Sequence, residues 1–229
     1  MNNNYEVIKN IEKLKKGEST RFLDNKMQLA IKRKLKKDEY NIYYPYPDSE
    51  KVIFYKDTKP NICLLEIITK NKLEHREILG TIFSLGLDSS MFGDIVIYNN
   101  HYYIYVLNEI KEYFINNLIL INKNKVKLEI RDIDTLKEYQ REYKKIEIIT
   151  SSERIDTVIA HLIGTNRNKI KDLMKDKDII LNYEVLTNCS KRFIENDVFS
   201  IRKYGKYKYI GIIKNTKSNN LVIQIDKYV

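Results

Sequence analysis

Lysine and arginine can do one kind of chemistry without a partner group: they neutralise phosphates and release the counterions held there. Between Glu153 and Asn182, "ERIDTVIAHLIGTNRNKIKDLMKDKDIILN", Arg167, Lys171 and Lys175 recur at i, i+4 and i+8. On a helix this spacing makes one stripe, with Asp172 and Asp176 round the opposite side. Asn166 and Lys169 stand at the start of the same helix, where free backbone N–H groups attract an anion, and Arg154 opens the helix before it. A second concentration runs from Ser200 to Lys217: six basic residues (Arg202, Lys203, Lys206, Lys208, Lys214, Lys217), no acidic one, and Tyr204, Tyr207 and Tyr209 between them. Aromatic rings stack on unpaired bases while neighbouring cations hold the backbone. The candidate RNA-contact set is therefore Arg154, Asn166, Arg167, Lys169, Lys171, Lys175, Arg202, Lys203, Tyr204, Lys206 and Lys208. A basic stripe alone is usually a solvated face, and the tail is what turns the reading toward nucleic acid. Alternation along a strand would still send some of these tyrosines into a core.

Groups suited to covalent chemistry are sparse. His75 and Glu77 in "HRE" are two apart at a predicted helix start and do not face each other, so they read as a capping turn. Asp94 in "FGD" reads as support for a turn after Gly93. His161 lies seven residues after Arg154 on the same helix edge and reads as a boundary residue. Neither His75 nor His101 has a Cys, Asp or Glu partner at ligand spacing. The expectation is no catalytic residue, no metal and no cofactor.

The chain has 229 residues and a formal net charge of +10, which favours an acidic partner. Its wealth of Lys, Asn, Ile and Tyr is a bias that AT-rich coding alone produces, so the placement of charge says more than its total. Two distant cysteines, Cys63 and Cys189, make a disulfide framework improbable and a reducing cytoplasm the default. "MNNNYEVIKN" has no apolar signal core, and no run approaches the ~20 apolar residues of a membrane span. The expectation is a soluble cytoplasmic protein.

The elements that must position the cations follow from hydrophobic period. Tyr5 to Lys16 predicts a helix closed by Gly17, and Asp24 caps a second through Leu35. Pro45, Pro47 and Pro60 then break helicity, with one strand at Val52 to Tyr55. "ICLLEII", "HREILGTIFSLG", "DIVIYNNHYYIYVL", "EIKEYFINNLIL" and "KVKLEIRDI" read as strand, helix, hairpin turning at Asn99-Asn100, helix and strand. This β-α-β-β-α-β order is the ferredoxin-like one. "DTLKEYQREYKKIEIIT" reads as a charged connector. A helix pair follows, with Ile155, Val158, Ile159, Leu162 and Ile163 on one apolar face and Ile170, Leu173 and Met174 on the other, then a hairpin (179–181, 184–186) and a β-rich tail. The fold class is α+β: a helical region at 1–60, a ferredoxin-like domain at 61–135, a connector at 136–150, and an RNA-binding domain with β tail at 151–229.

Arg154-Ile155-Asp156, Asn166-Arg167, Leu173-Met174, "IILN" (Ile179 to Asn182) and "NDVFSIR" (Asn196 to Arg202) resemble the S-four RNA-binding domain, first named for a small-subunit ribosomal protein. Lys177 and Asn196 stand where that family usually has glycine. With "HREILGTIFSLGL", "FGDIVI", "IRKYGKYKYIGIIKNTK" and "RFLD", nearly the whole chain resembles the YlmH-type RNA-binding proteins. The loop between Gly86 and Gly93, often basic in relatives, reads "LDSSMF" here. The resemblance implies a non-enzymatic protein that binds ribosomal RNA on the large ribosomal subunit carrying an obstructed peptidyl-tRNA, in ribosome-associated quality control. It implies no membrane partner, and a monomer is expected. The alternatives are an RNA-modifying enzyme of the pseudouridine-synthase type and a cell-division adaptor that uses the middle sheet. Against the enzyme, Arg154-Ile155-Asp156 begins a helix and lies outside any large β-rich catalytic domain, and there is no G-x-G cofactor turn.

Overall fold

The computed structural model describes residues 3–228. Helix α1 (Asn3–Lys15) buries Val7 and Leu14 and stops before Gly17, whose φ of +80° suits glycine. Helix α2 (Asn25–Lys32) starts where the Asp24 carboxylate accepts the Met27 N–H at 2.7 Å, a side-chain cap on a free backbone donor. Both helices pack on β1 (Asn41–Tyr43) and β2 (Ile53–Tyr55), an antiparallel pair. The sequence predicts only the second of these strands. Pro45 and Pro47 lie in the loop that joins them, so the prolines punctuate a strand pair without excluding it.

The chain then runs through β3 (Ile62–Ile68), α3 (His75–Ser84), β4 (Phe92–Tyr98), β5 (His101–Leu107), α4 (Lys111–Asn117), the short pair β6 (Leu120–Ile121) and β7 (Asn124–Lys125), and β8 (Lys127–Arg131). The sheet order is β4-β5-β3-β8 with antiparallel neighbours throughout, which is the split-βαβ topology. Asn99 and Asn100, at φ +51° and +64°, make the predicted two-residue turn. One face of the sheet, with Leu65, Ile67, Ile104 and Val106, packs on Ile78, Ile82 and Phe114 of α3 and α4. The other, with Leu64, Val96 and Tyr105, is covered by Phe22, Tyr46, Ile53 and Leu136. Helix α4 is shorter than predicted: it ends at Asn117, and Leu120-Ile121 turn back on Asn124-Lys125. Asn116 and Asn117 are poor helix formers, and the reversal at Asn122 (φ +54°) buries Ile121 fully.

The remaining elements are β9 (Tyr143–Thr150), α5 (Ile155–Leu162), α6 (Arg167–Lys175), β10 (Ile179–Leu181), β11 (Glu184–Val185), β12 (Val198–Ile201), β13 (Gly205–Asn215) and β14 (Leu221–Tyr228). The strands form one sheet in the order β11-β10-β12-β13-β14-β9. Part of the expected connector is thus a strand: β9 pairs with β14 in unbroken register from Tyr143↔Tyr228 to Thr150↔Leu221. Its alternation carries the reason, since Ile146 and Ile148 face the core while Lys145 and Glu147 do not. Ile155, Val158 and Ile159 of α5 and Ile170 and Leu173 of α6 close the core against Ile179, Phe199, Ile201, Tyr207, Tyr209 and Ile223. The motif residues Asn182 and Asp197 tie the strands: the Asn182 amide donates to Asp197 at 2.7 Å and its oxygen accepts Val198 N–H at 3.0 Å. Contacts group the chain into two units, Met1–Gln140 and Arg141–Val229.

Both helices of the pair end in the same way. After α5, Thr165 N–H reaches Ala160 C=O at 2.8 Å and Gly164 N–H reaches His161 C=O at 3.3 Å, with Gly164 at φ +64°. After α6, Asp178 N–H reaches Leu173 C=O at 2.9 Å and Lys177 N–H reaches Met174 C=O at 3.1 Å, with Lys177 at φ +59°. A Cβ in that conformation costs about 1 kcal/mol, which exceeds the entropy glycine would add to the unfolded chain. Lys177→Gly is therefore expected to raise the melting temperature by roughly 1–3 °C in scanning calorimetry. A lowered melting temperature would show that the Lys177 side chain contributes more than its backbone costs.

Candidate nucleic-acid interface

Asp156, the second residue of α5, is fully buried at 0% exposure. Three side chains donate to its carboxylate. Arg154 does so twice, Nε to Oδ1 at 3.1 Å and Nη2 to Oδ2 at 2.9 Å; Arg167 Nη2 reaches Oδ2 at 3.0 Å and Thr157 Oγ1 reaches Oδ1 at 3.2 Å. Burial works against the charge, but the hydrogen bonds and charges of the two arginines win and hold the carboxyl at about 2. The arginines stay half exposed, so one buried anion fixes two guanidiniums at the starts of α5 and α6 with their outer edges in solvent. A carboxylate so occupied is a counter-ion with no lone pair aimed at solvent.

The structure divides the other candidates into three groups. Asn166 is spent as the α6 cap, its Oδ1 accepting Lys169 N–H at 2.9 Å, while Lys169, Lys171 and Lys175 are exposed along the helix. The stripe is less clean than its spacing suggests, because Lys175 lies 4.0 Å from Asp172. Arg202, Lys203 and Tyr204 form the turn before β13, which docks beyond the C-terminal end of α6: Arg202 N–H donates to Asp178 C=O at 2.9 Å and its guanidinium to Asp178 Oδ1 at 3.3 Å. An open groove of ≈ 700 Å³ separates this turn from Asp176 and Lys177. Arg154 and Arg167 thus sit at one end of α6 and Arg202 at the other, about 13 Å apart along a nine-residue helix.

Lys206 and Lys208 form the third group, and they do not share a face with the α6 stripe. Tyr207 and Tyr209 point into the core, stacked on Phe199 and Phe193, so strand alternation sends Lys206 and Lys208 to the sheet face away from the helices. Stacking on bases by Tyr207 and Tyr209 is excluded by their burial; Tyr204 remains exposed. On that back face Lys206 Nζ lies 4.6 Å from the Tyr228 ring centroid and 5.4 Å from that of Tyr183. Arg141 approaches Tyr228 at 5.5 Å, and Tyr143 meets it edge-on at 5.2 Å. Arg141, Tyr143, Tyr183 and Tyr228 escaped the sequence reading. For Tyr143 and Tyr228 the alternation of β9 and β14 was the only signal, and it places residues on one face only once the strands are paired.

In the first unit two carboxylates are buried or nearly so. Asp94 Oδ2 accepts from Tyr46 Oη at 2.8 Å, Glu50 N at 2.7 Å and Lys51 N at 3.3 Å. It therefore ties a distant segment to the sheet, where the sequence suggests a local turn. Burial pushes its carboxyl up despite these bonds. Gly93 beside it admits Phe22, whose ring would lie 3.0 Å from an added Cβ. Glu66 binds Arg131 and has His101 Nδ1 at 2.5 Å, a partner contributed by another strand and invisible to sequence spacing. As expected for a capping turn, Glu77 Oε2 accepts Glu74 N–H at 2.9 Å. Among the described residues, no three His, Cys, Asp or Glu side chains stand together to hold a metal, and no helix is long and apolar enough to cross a membrane.

Residues 58–135, which contain the whole four-stranded sheet, match the family model described as "Putative RNA-binding domain in YlmH". The chain is 26% identical over 155 residues to the "Ribosome-associated protein quality control protein P2" of Bacillus subtilis (strain 168), covering 68% of this chain and 60% of the relative. Residues 58–135 are thus similar to the YlmH family's RNA-binding domain. The chain aligns with about 60% of the length of that curated relative. A solved structure titled "Cell division protein ylmH from Streptococcus pneumoniae" is 25% identical, with a TM-score of 0.46, covering 56% of this chain and 90% of that one. The match to the family model falls on the first unit, whereas the cations of the candidate RNA-contact set all lie in the second.

The clamp has a pH signature. The folded-state pKa of Asp156, about 2, lies below its ordinary 3.8, so the stability it contributes is complete above about pH 4 and is lost as pH falls toward 2. Asp156→Asn is expected to cost about 2 kcal/mol near neutrality and to shrink that acid limb, read by urea unfolding at a series of pH values. An unchanged acid limb in the variant would mean that Asp156 does not carry the charge of the clamp.

Proposed function

We propose that this chain is of the YlmH type and acts by binding, without turnover: it holds ribosomal RNA on the large ribosomal subunit bearing a stalled peptidyl-tRNA, in ribosome-associated quality control in the cytoplasm. The observation that carries the reading is the match of residues 58–135 to an RNA-binding domain, supported by the printed name of the Bacillus relative. The second unit is read as an S-four-like domain. Its helix pair carries the Arg154–Asp156–Arg167 clamp, and Lys177 and Asn196 both take positive φ (+59° and +70°), the conformation glycine would supply at those positions.

The physical division of labour is simple. Lysines on α6 neutralise phosphates wherever the backbone runs, while the clamped arginines present guanidinium edges at a fixed spacing, with no side-chain entropy left to lose. Asp156 adds a constraint on the experiment. Arg167→Glu would set a second carboxylate against a buried one and would test folding, so Lys169, Lys171 and Lys175 are the residues that report on contact.

Two experiments test the proposal. Sedimentation of the full chain with cell extract should place it with large subunits, and Lys171→Glu with Lys175→Glu should displace it and flatten the salt dependence of rRNA binding by about 0.7–0.9 per lost contact. Persistence of this double variant on the subunit at wild-type salt sensitivity would remove α6 from the interface. Base-resolved mapping of ribosomal RNA from cells with and without the protein should show no difference, and a single modification that disappears would overturn the non-catalytic reading.

A further inference from the structure

The match to an RNA-binding family model falls on the first unit, yet the loop between Gly86 and Gly93 contains no cation. The sheet has two ends, and their charges are opposite. At the end where β3 finishes and β5 begins, residues 69–76, 99–101 and 122–127 carry six cations (Lys70, Lys72, Arg76, Lys123, Lys125, Lys127) and one acid, Glu74. At the other, residues 57–61, 85–91, 108–112 and 131–134 carry six acids (Asp57, Asp88, Glu109, Glu112, Asp132, Asp134) and three cations. The pairing Ile68↔Lys127 and Ile67↔Tyr102 brings the two basic segments and the Asn99-Asn100 turn to one rim, although the basic segments are separated by about fifty residues in sequence.

This rim is pinned. Asn71 Nδ2 donates to Asn124 Oδ1 at 2.6 Å, joining the loop after β3 to the β6–β7 turn. Asn122 Nδ2 donates to Glu77 Oε1 at 2.9 Å, and Leu73 N–H to Tyr102 Oη at 2.7 Å. Glu74 is neutralised by Arg76 at 2.6 Å. All six cations are exposed, Lys127 being paired with Glu129 at 2.9 Å, while Lys70, Lys72 and Lys123 lie on the loops held by these bonds and Lys125 on β7 beside them. Lysine is a point charge without a planar fork, and asparagine amides donate to phosphate oxygens as readily as to each other. The rim therefore suits a phosphate backbone and offers little to read bases.

We propose that the β3–α3 loop, the β4–β5 turn and the β6–β7 turn form an RNA phosphate-binding rim, so that the YlmH-type domain docks by its basic end and keeps its acidic end off the nucleic acid. This rests on the RNA-binding reading above and adds the surface that makes the contact.

The test uses the full chain and isolated large-subunit ribosomal RNA. Lys70→Glu with Lys72→Glu, and separately Lys123→Glu with Lys125→Glu, should each weaken binding about tenfold and make the log–log salt slope shallower by about 0.7–0.9 per contact, with circular dichroism unchanged. Lys59→Glu at the acidic end should bind as wild type. If the rim variants bind like wild type while Lys171→Glu with Lys175→Glu weakens binding, the rim is rejected and RNA binding stands. Failure of the wild-type chain to bind would reject both. Loss of binding to intact subunits alone, with isolated RNA bound normally, would mean that the rim meets an acidic protein and would overturn the proposal.

Discussion

A carboxylate removed from water keeps its charge only if donors replace the water, and the second unit is arranged around one such group. Asp156 is reached by Arg154 from before α5 and by Arg167 from the first turn of α6. The anion therefore fixes how the two helix starts approach each other as well as where the guanidiniums point. Removing either arginine would leave a buried charge half answered, the costliest of the ways to lose an ion pair. Packing of Ile155 and Val158 against Ile170 and Leu173 then has a single register in which to settle.

The same constraint has a different solution in the first unit. Asp94 is answered by a phenol and two backbone N–H groups, all neutral, and its carboxyl is pushed up where that of Asp156 is held down. Cationic donors offset burial and neutral ones do so only in part. The neutral arrangement suits its task, which is to fasten the loop after β1 onto the sheet beside Gly93, where Phe22 needs the space a Cβ would fill. Glu66 stands between the two cases, with Arg131 and His101 outweighing burial.

Charge in this protein is thus used in three ways. Buried carboxylates position backbone and arginines, and exposed lysines face solvent on elements those carboxylates hold still. Holding a lysine-bearing turn rigid lowers the entropy lost when a phosphate arrives, so pinned loops and capped helices are better polyanion surfaces than flexible basic tails of equal charge. The Lys206 cluster with Tyr183 and Tyr228 is a third use, in which the cation is held against rings on the back face of the sheet.

What period and turn chemistry could specify was legible in the sequence. The β-α-β-β-α-β order, the Asn99-Asn100 turn, the Asp24 and Asn166 caps and the apolar faces of α5 and α6 all follow from residues within one turn or one strand of each other. Strand β9 was readable in the alternation around Ile146 and Ile148, although its charges disguised it as a connector. Pairings across long separations were beyond reach: Asp156 with Arg167, Glu66 with His101, Asp94 with Tyr46, and the gathering of Lys70 and Lys123 at one rim. The sequence by itself determined the types of element and the supply of cations. The tertiary structure alone decided which cations share a surface, because hydrogen-bond and hydrophobic periods act over a few residues, whereas the meeting of two charges depends on how whole strands and helices pack.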